Sequence, residues 1–246
     1  MYPVINLGPL VLPTASFIIL IGVWICLVLA ERIARRLGLD PDIMSGLVTT
    51  GIIAGFIGAR LTFVFLYWPA YQDNLLGIVW PLNSGFNVWG GVFFGAAAMF
   101  FYGRAKQIPA APYLDALAPI IVSGLMFISL ADFLGGPGFG TFTQMPWGIE
   151  SYDMRRHPVQ LYEISAGAVA LIAWWFYQKH RAFEGQLFLI TTIIYGLGRL
   201  FVDAYRANTW IALGGWHGLQ IFCLLAVLAA LLLLMRGSQN AKMAST

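Results

Sequence analysis

Seven stretches of this chain are apolar for long enough to cross a bilayer: near 10–30, 45–68, 86–103, 112–135, 159–178, 185–205 and 211–235. A helix needs about 20 mostly apolar residues to span the hydrocarbon layer, and inside lipid the backbone must satisfy its own polar groups. Only 10% of the 246 residues are charged, against about a quarter in a soluble domain. That is too little charge to cover a water-facing surface. The expectation is an all-α integral membrane protein: a seven-transmembrane-helix bundle forming one domain over 1–246.

The third run is short and rich in glycine and alanine, GGVFFGAAA, as suits a tightly packed helix. Asp40-Pro41, Pro81, Pro109, Pro112 and GGPGFGTFTQMPWG at 135–148 fall between runs, and 136–157 is the longest connection. No internal repeat or separate soluble domain is visible. Residues 1–9 lack the positive n-region of a secretory signal, so the first run is expected to stay attached.

The basic residues set the orientation. Arg32, Arg35, Arg36, Arg104, Lys106, Lys179, Arg181, Arg236 and Lys242 fall on one side of the runs, and Arg155, Arg156 and Arg206 on the other. Lysine and arginine accumulate in cytoplasmic loops, which predicts an N-terminus outside and a C-terminus in the cytoplasm. Dispersed in this way, the net charge of +3 gives no footprint for nucleic acid.

Arg60 and Arg199 lie inside runs, where a charge is costly and marks a candidate site. With the orientation above, Arg60, Trp89, Ser129, Asp132, Gln160, Tyr162, Glu163, Arg199, Asp203 and His217 share one outer layer. Asp115, near the cytoplasmic end of its run, is the main exception. Interhelical salt bridges could account for any one of these residues, and Arg199 and Asp203 stand four apart on one helix face. A common depth for the set points instead to an anionic lipid headgroup, because the guanidinium fork donates paired hydrogen bonds to phosphate oxygens.

Other chemistries fit less well. The three histidines are too scattered for a metal site, and no cofactor is expected. His180 reads as a solvated residue and His217 as a packed interfacial one. Cys26 and Cys223 sit within apolar runs and read as small buried hydrophobes. The last run has no lysine for a Schiff base, which excludes a retinal protein.

Four stretches resemble the prolipoprotein diacylglyceryl transferase family: GAR at 58–60, DALAPIIVSG at 115–124, RHPVQLYE at 156–163 preceded by PWG at 146–148, and YGLGRLFVD at 195–203. RHPVQLYE is the specific one. Departures accompany them: Trp89 where the family pattern has histidine, Ser129 for arginine, Asp132 for asparagine, Asp203 for glutamate, no counterpart in PTASF to a tyrosine of the first span, and Pro137 near where further polar positions fall.

The resemblance implies a bacterial inner-membrane enzyme that moves a diacylglyceryl group from phosphatidylglycerol to the lipobox cysteine of a preprolipoprotein signal peptide, releasing glycerol phosphate. Arg60 and Arg199 would then clamp the phosphate, with Asp203 and Tyr195 orienting Arg199. Arg156 and His157 would face the headgroup, and Gln160 and Glu163 would fix neighbouring helices or arginines. His157 or Asp132 would compensate for the departures. Two other readings stay open: a paralogue that binds lipid without transferring it, and an enzyme of this fold with another lipid donor or acceptor.

Overall fold

A computed structural model describes residues 4–7, 10–73, 75–79, 85–136, 138–151, 153–207, 211, 215 and 217–245. A hairpin of β1 (Val4–Leu7) and β2 (Leu10–Pro13) leads into α1 (Thr14–Leu37), α2 (Pro41–Leu66), a short α3 (Leu76–Val79), α4 (Val88–Ala105) and α5 (Ala110–Gly135). A second hairpin, β3 (Ile149–Ser151) and β4 (Met154–Arg156), precedes α6 (Val159–Tyr177), α7 (Gln186–Asp203) and α8 (Gly218–Ser245). The breaker Pro81 and the departure at Pro137 lie outside the described residues.

Six helices, α1, α2, α5, α6, α7 and α8, are long and apolar enough to cross a membrane. The expected third span, α4, is not among them: its 18 residues include four glycines, Trp89, Tyr102 and Arg104, which dilute its apolar character. The architecture is helical, as expected, with two short hairpins in stretches read as span start and linker. Residues 10–13 belong to β2, so the first helix begins at Thr14. The last begins at Gly218 instead of 211, because Gly215 has φ +82°, a left-handed conformation that no right-handed helix accommodates. Large apolar side chains such as Leu20, Trp24, Phe65 and Leu232 are exposed on these helices, as expected where lipid is the solvent.

Local chemistry sets the helix ends. The Asp40 carboxylate accepts from the backbone N–H of Asp42 (2.8 Å) and Ile43 (3.2 Å), and Pro41 follows where its missing N–H costs nothing. Past α1, Gly38 at φ +73° donates to the Arg35 carbonyl while Leu39 donates to that of Ala34, closing the helix in a Schellman turn.

The helices group into two compact units, one of residues 1–29 and 114–246 and one of residues 30–113. Within the second, α2 and α4 approach backbone to backbone. A Cβ added to Gly95 would lie 2.9 Å from the Gly51 carbonyl oxygen, and one on Gly55 would lie 3.2 Å from that of Gly91. Only small residues permit this contact.

Within the first unit, Asp115 joins three helices. Pro119 has no N–H to offer the carbonyl four residues earlier, which is that of Asp115. The indole of Trp174 on α6 donates to that carbonyl at 2.9 Å. The N-cap of α7 is Gly185, whose missing side chain cannot cap. The fully buried Asp115 carboxylate does so from α5, accepting from the N–H of Gly185 (2.8 Å) and Phe188 (2.9 Å). Asp115→Ala is expected to lower stability by about 2 kcal/mol, read as a lower thermal midpoint in detergent, with Asp115→Asn losing less.

Candidate active site

Near the start of α6 the chain buries a carboxylate, and two guanidiniums converge on it. Glu163 Oε1 is paired with both Arg199 and Arg206, and its Oε2 accepts a 2.6 Å hydrogen bond from the Ser129 hydroxyl. The Glu163 side chain is 5% exposed and the two arginines 14% each. One negative charge therefore sits between two positive ones in a dry setting, where charge pairs interact far more strongly than in water. Among the described residues Arg199 makes no other hydrogen bond, and the buried Arg206 Nε has no partner. The pair thus keeps donors in reserve for a further anion.

The long connection positions Arg206. Residues around 140–143 pair with β4 on one side and with 205–207 on the other, through Gly140 with Arg206 and Phe142 with Arg156. Hydrogen bonds from the N–H of Thr141 to the Tyr205 carbonyl (2.7 Å) and from that of Thr143 to the Arg155 carbonyl (3.0 Å) hold this small β layer together. Arg156 donates to the Gly140 carbonyl at 3.2 Å and lies over the Phe139 ring at 4.9 Å. The buried Gln160 amide donates to the Gly138 carbonyl. Arg156, His157 and Gln160 line one concavity with Phe133, Phe139 and Ile149, so polar donors and apolar walls meet at one place.

His157 belongs to a relay of side chains. Trp147 Nε1, a donor only, donates to the Tyr162 hydroxyl at 2.8 Å, and that hydroxyl lies 3.1 Å from His157 Nδ1. A chain running Trp147 to Tyr162 to His157 uses each donor once, with cooperative gain. The ring also packs on Tyr205 at 4.7 Å.

The model for the prolipoprotein diacylglyceryl transferase family matches residues 3–236. The chain belongs to this family. Its similarity to the phosphatidylglycerol–prolipoprotein diacylglyceryl transferase of Tropheryma whipplei (strain Twist) is 30% identity over 218 residues, 82% of this chain and 80% of that one. With the protein of the same description from Thermosynechococcus vestitus it shares 26% identity over 235 residues, 91% and 87% of the two chains. With that of Nitratidesulfovibrio vulgaris it shares 28% over 252 residues, 96% and 94%.

Against this family background, the expected site residues fall into two groups. Arg199, Glu163, His157, Gln160 and Arg156 come together on α6, α7 and the β layer of one compact unit. Arg60 is turned toward backbone: three of its five N–H groups, on Nε, Nη1 and Nη2, go to the carbonyls of Ile78, Gly85 and Gly77, and its guanidinium lies 5.4 Å from the Tyr71 ring. It fastens the connection between α2 and α4. Asp203 and Tyr195 do not hold Arg199 as expected. The ion-pair partner of Arg199 is Glu163, the Asp203 carboxylate faces His217 Nδ1 at 3.4 Å, and Tyr195 makes no hydrogen bond to Arg199 among the described residues. Asp132 makes no ion pair among the described residues either.

Arg206 is the residue the sequence reading missed. It reads from the sequence as a loop charge, and the structure brings it to Glu163 from beyond the end of α7, where its backbone pairs with Gly140.

Proposed function

We propose that this protein transfers the diacylglyceryl group of phosphatidylglycerol to the thiol of a lipobox cysteine in a preprolipoprotein, releasing glycerol phosphate. Beside family membership, the observation that carries the reading is the buried centre in which Arg199 and Arg206 share Glu163. In the reaction a thiolate attacks a glyceryl carbon and a phosphate ester departs, so negative charge gathers on phosphate oxygens. Fixed guanidinium donors in a site shielded from water stabilise that charge without reorganising. Glu163 holds the two forks and Ser129 holds Glu163, while His157 stands in the neighbouring concavity with Arg156 and Gln160.

The reading includes a seventh span, α4, in a single transmembrane domain. It places the N-terminus outside and the C-terminus in the cytoplasm of a bacterial inner membrane, which the distribution of lysine and arginine supports. The substrates are then phosphatidylglycerol and a signal peptide carrying the lipobox cysteine.

The direct test incubates the purified protein with phosphatidylglycerol vesicles and a lipobox peptide with one cysteine, and weighs the peptide by mass spectrometry. A diacylglyceryl adduct is expected, and none when the cysteine is serine. Ser129 and Trp89, neither able to do the work of an arginine or a histidine, favour one competitor: a protein that binds the lipid and does not transfer it. No adduct from folded, lipid-binding protein, beside an active relative, would establish that competitor.

A further inference from the structure

Asp203 closes α7 with a side chain 1% exposed, and neither carboxylate oxygen has a hydrogen-bond partner among the described residues. A buried carboxylate in that state is costly, and in native proteins such a group has a reason to be there. Facing it at 3.4 Å is Nδ1 of His217, itself buried and without a hydrogen bond. At 3.4 Å the two atoms approach without forming a hydrogen bond, and catalytic hydrogen bonds are often long or poorly aligned before substrate binds.

The pair has the chemistry of a proton acceptor. A carboxylate at Nδ1 favours the tautomer with the proton on Nδ1, which leaves the lone pair on Nε2. The His217 side chain is 32% exposed, so its ring is not closed off. Its backbone is held by pairing with Ile211 and by the Ile221 N–H, which donates to its carbonyl at the entry to α8. Asp203 lies one turn beyond Arg199 and three residues before Arg206, the two arginines that share Glu163. The other histidines are differently placed: His157 Nδ1 is engaged by Tyr162, and His180 Nδ1 lies against the Phe176 carbonyl.

We propose that His217 is the base that takes the proton of the acceptor thiol, with Asp203 as the positioning residue that sets its ring and tautomer. This rests on the transferase reading. The thiol S–H proton passes to Nε2, and the sulfur lone pair forms the S–C bond to the glyceryl carbon. The C–O electron pair leaves on the phosphate of glycerol phosphate, which then takes the proton from His217 and restores the neutral ring. Only the thiolate is an effective nucleophile, so a base in this place governs the rate.

A selenocysteine version of the lipobox peptide tests the step, because a selenol is already ionised at neutral pH and needs no base. With the cysteine peptide, His217→Gln is expected to lower the rate of adduct formation by about 100-fold or more, and Asp203→Asn by less. With the selenocysteine peptide both variants should approach the unsubstituted protein. Retention of phosphatidylglycerol, read by native mass spectrometry, confirms that the variants are folded; Asp203→Asn and His217→Asn carry the test if His217→Gln does not fold. Equal losses with both peptides, or no loss with either, would overturn the assignment while leaving the transferase reading intact. Absence of any adduct from the unsubstituted protein would overturn both.

Discussion

Glu163→Ala is expected to lower the stability of the protein by about 3–5 kcal/mol and to abolish adduct formation with it. The carboxylate is 5% exposed and serves Arg199, Arg206 and the Ser129 hydroxyl at once. Removing it leaves two guanidiniums, each 14% exposed, facing one another without a counter-charge. It also leaves a buried hydroxyl without its acceptor, and uncompensated buried charge dominates the cost. Glu163→Gln should be milder in stability, since an amide oxygen still accepts from one partner, but it too loses the charge that keeps both forks aimed at one point. Thermal unfolding in detergent reads the first effect and the peptide assay the second. An alanine variant as stable as the parent protein would show that the two arginines are held by something other than Glu163.

The helices and the site were visible in the sequence to different depths. Continuous apolar runs with breakers at both ends located α5 and α6 to within a residue or two, because lipid demands length and apolarity and little else. The same rule misjudged α8: residues 211–217 are apolar enough to extend a span, yet the helix begins at Gly218, after Gly215 with its left-handed backbone angle. Strands of three residues inside a glycine-rich connection have no room for a readable alternation, so β3 and β4 left no signal.

In the site, the sequence offered residue types and approximate depth, and pairing decided the rest. The stretch DALAPIIVSG supplies Asp115 and Pro119, which with the indole of Trp174 form one structural joint. Arg60 and Arg199 looked alike as intramembrane arginines. One is spent on three backbone carbonyls and the other on a shared carboxylate, a difference set by partners 17 to 36 residues away that no local pattern encodes. The i,i+4 spacing of Arg199 and Asp203 suggests a pair, but Arg199 turns to Glu163 on α6 and Asp203 to His217. Helical spacing permits a contact, and the neighbours that face each side chain, Glu163 on α6 and His217 just before α8, select a different one.

Arg199→Gln is expected to lower turnover by about 100- to 1,000-fold, the usual consequence of removing one fixed donor to a developing oxyanion. The substitution should leave the protein inserted and folded. Glu163 retains Arg206 and Ser129, and the shorter neutral side chain removes one of two like charges from the centre. Its effect should therefore fall on the rate at saturating lipid more than on the lipid concentration needed for half that rate, because the charge that Arg199 meets is greatest as the phosphate departs. Arg199→Lys should recover little of the rate: an ammonium supplies the charge but not the planar fork that reaches Glu163 and a phosphate oxygen together. Adduct yield against time at several phosphatidylglycerol concentrations separates these outcomes. Unchanged turnover in the glutamine variant would remove Arg199 from the phosphate site, and a loss confined to half-saturation would make it a binding group for the resting lipid alone.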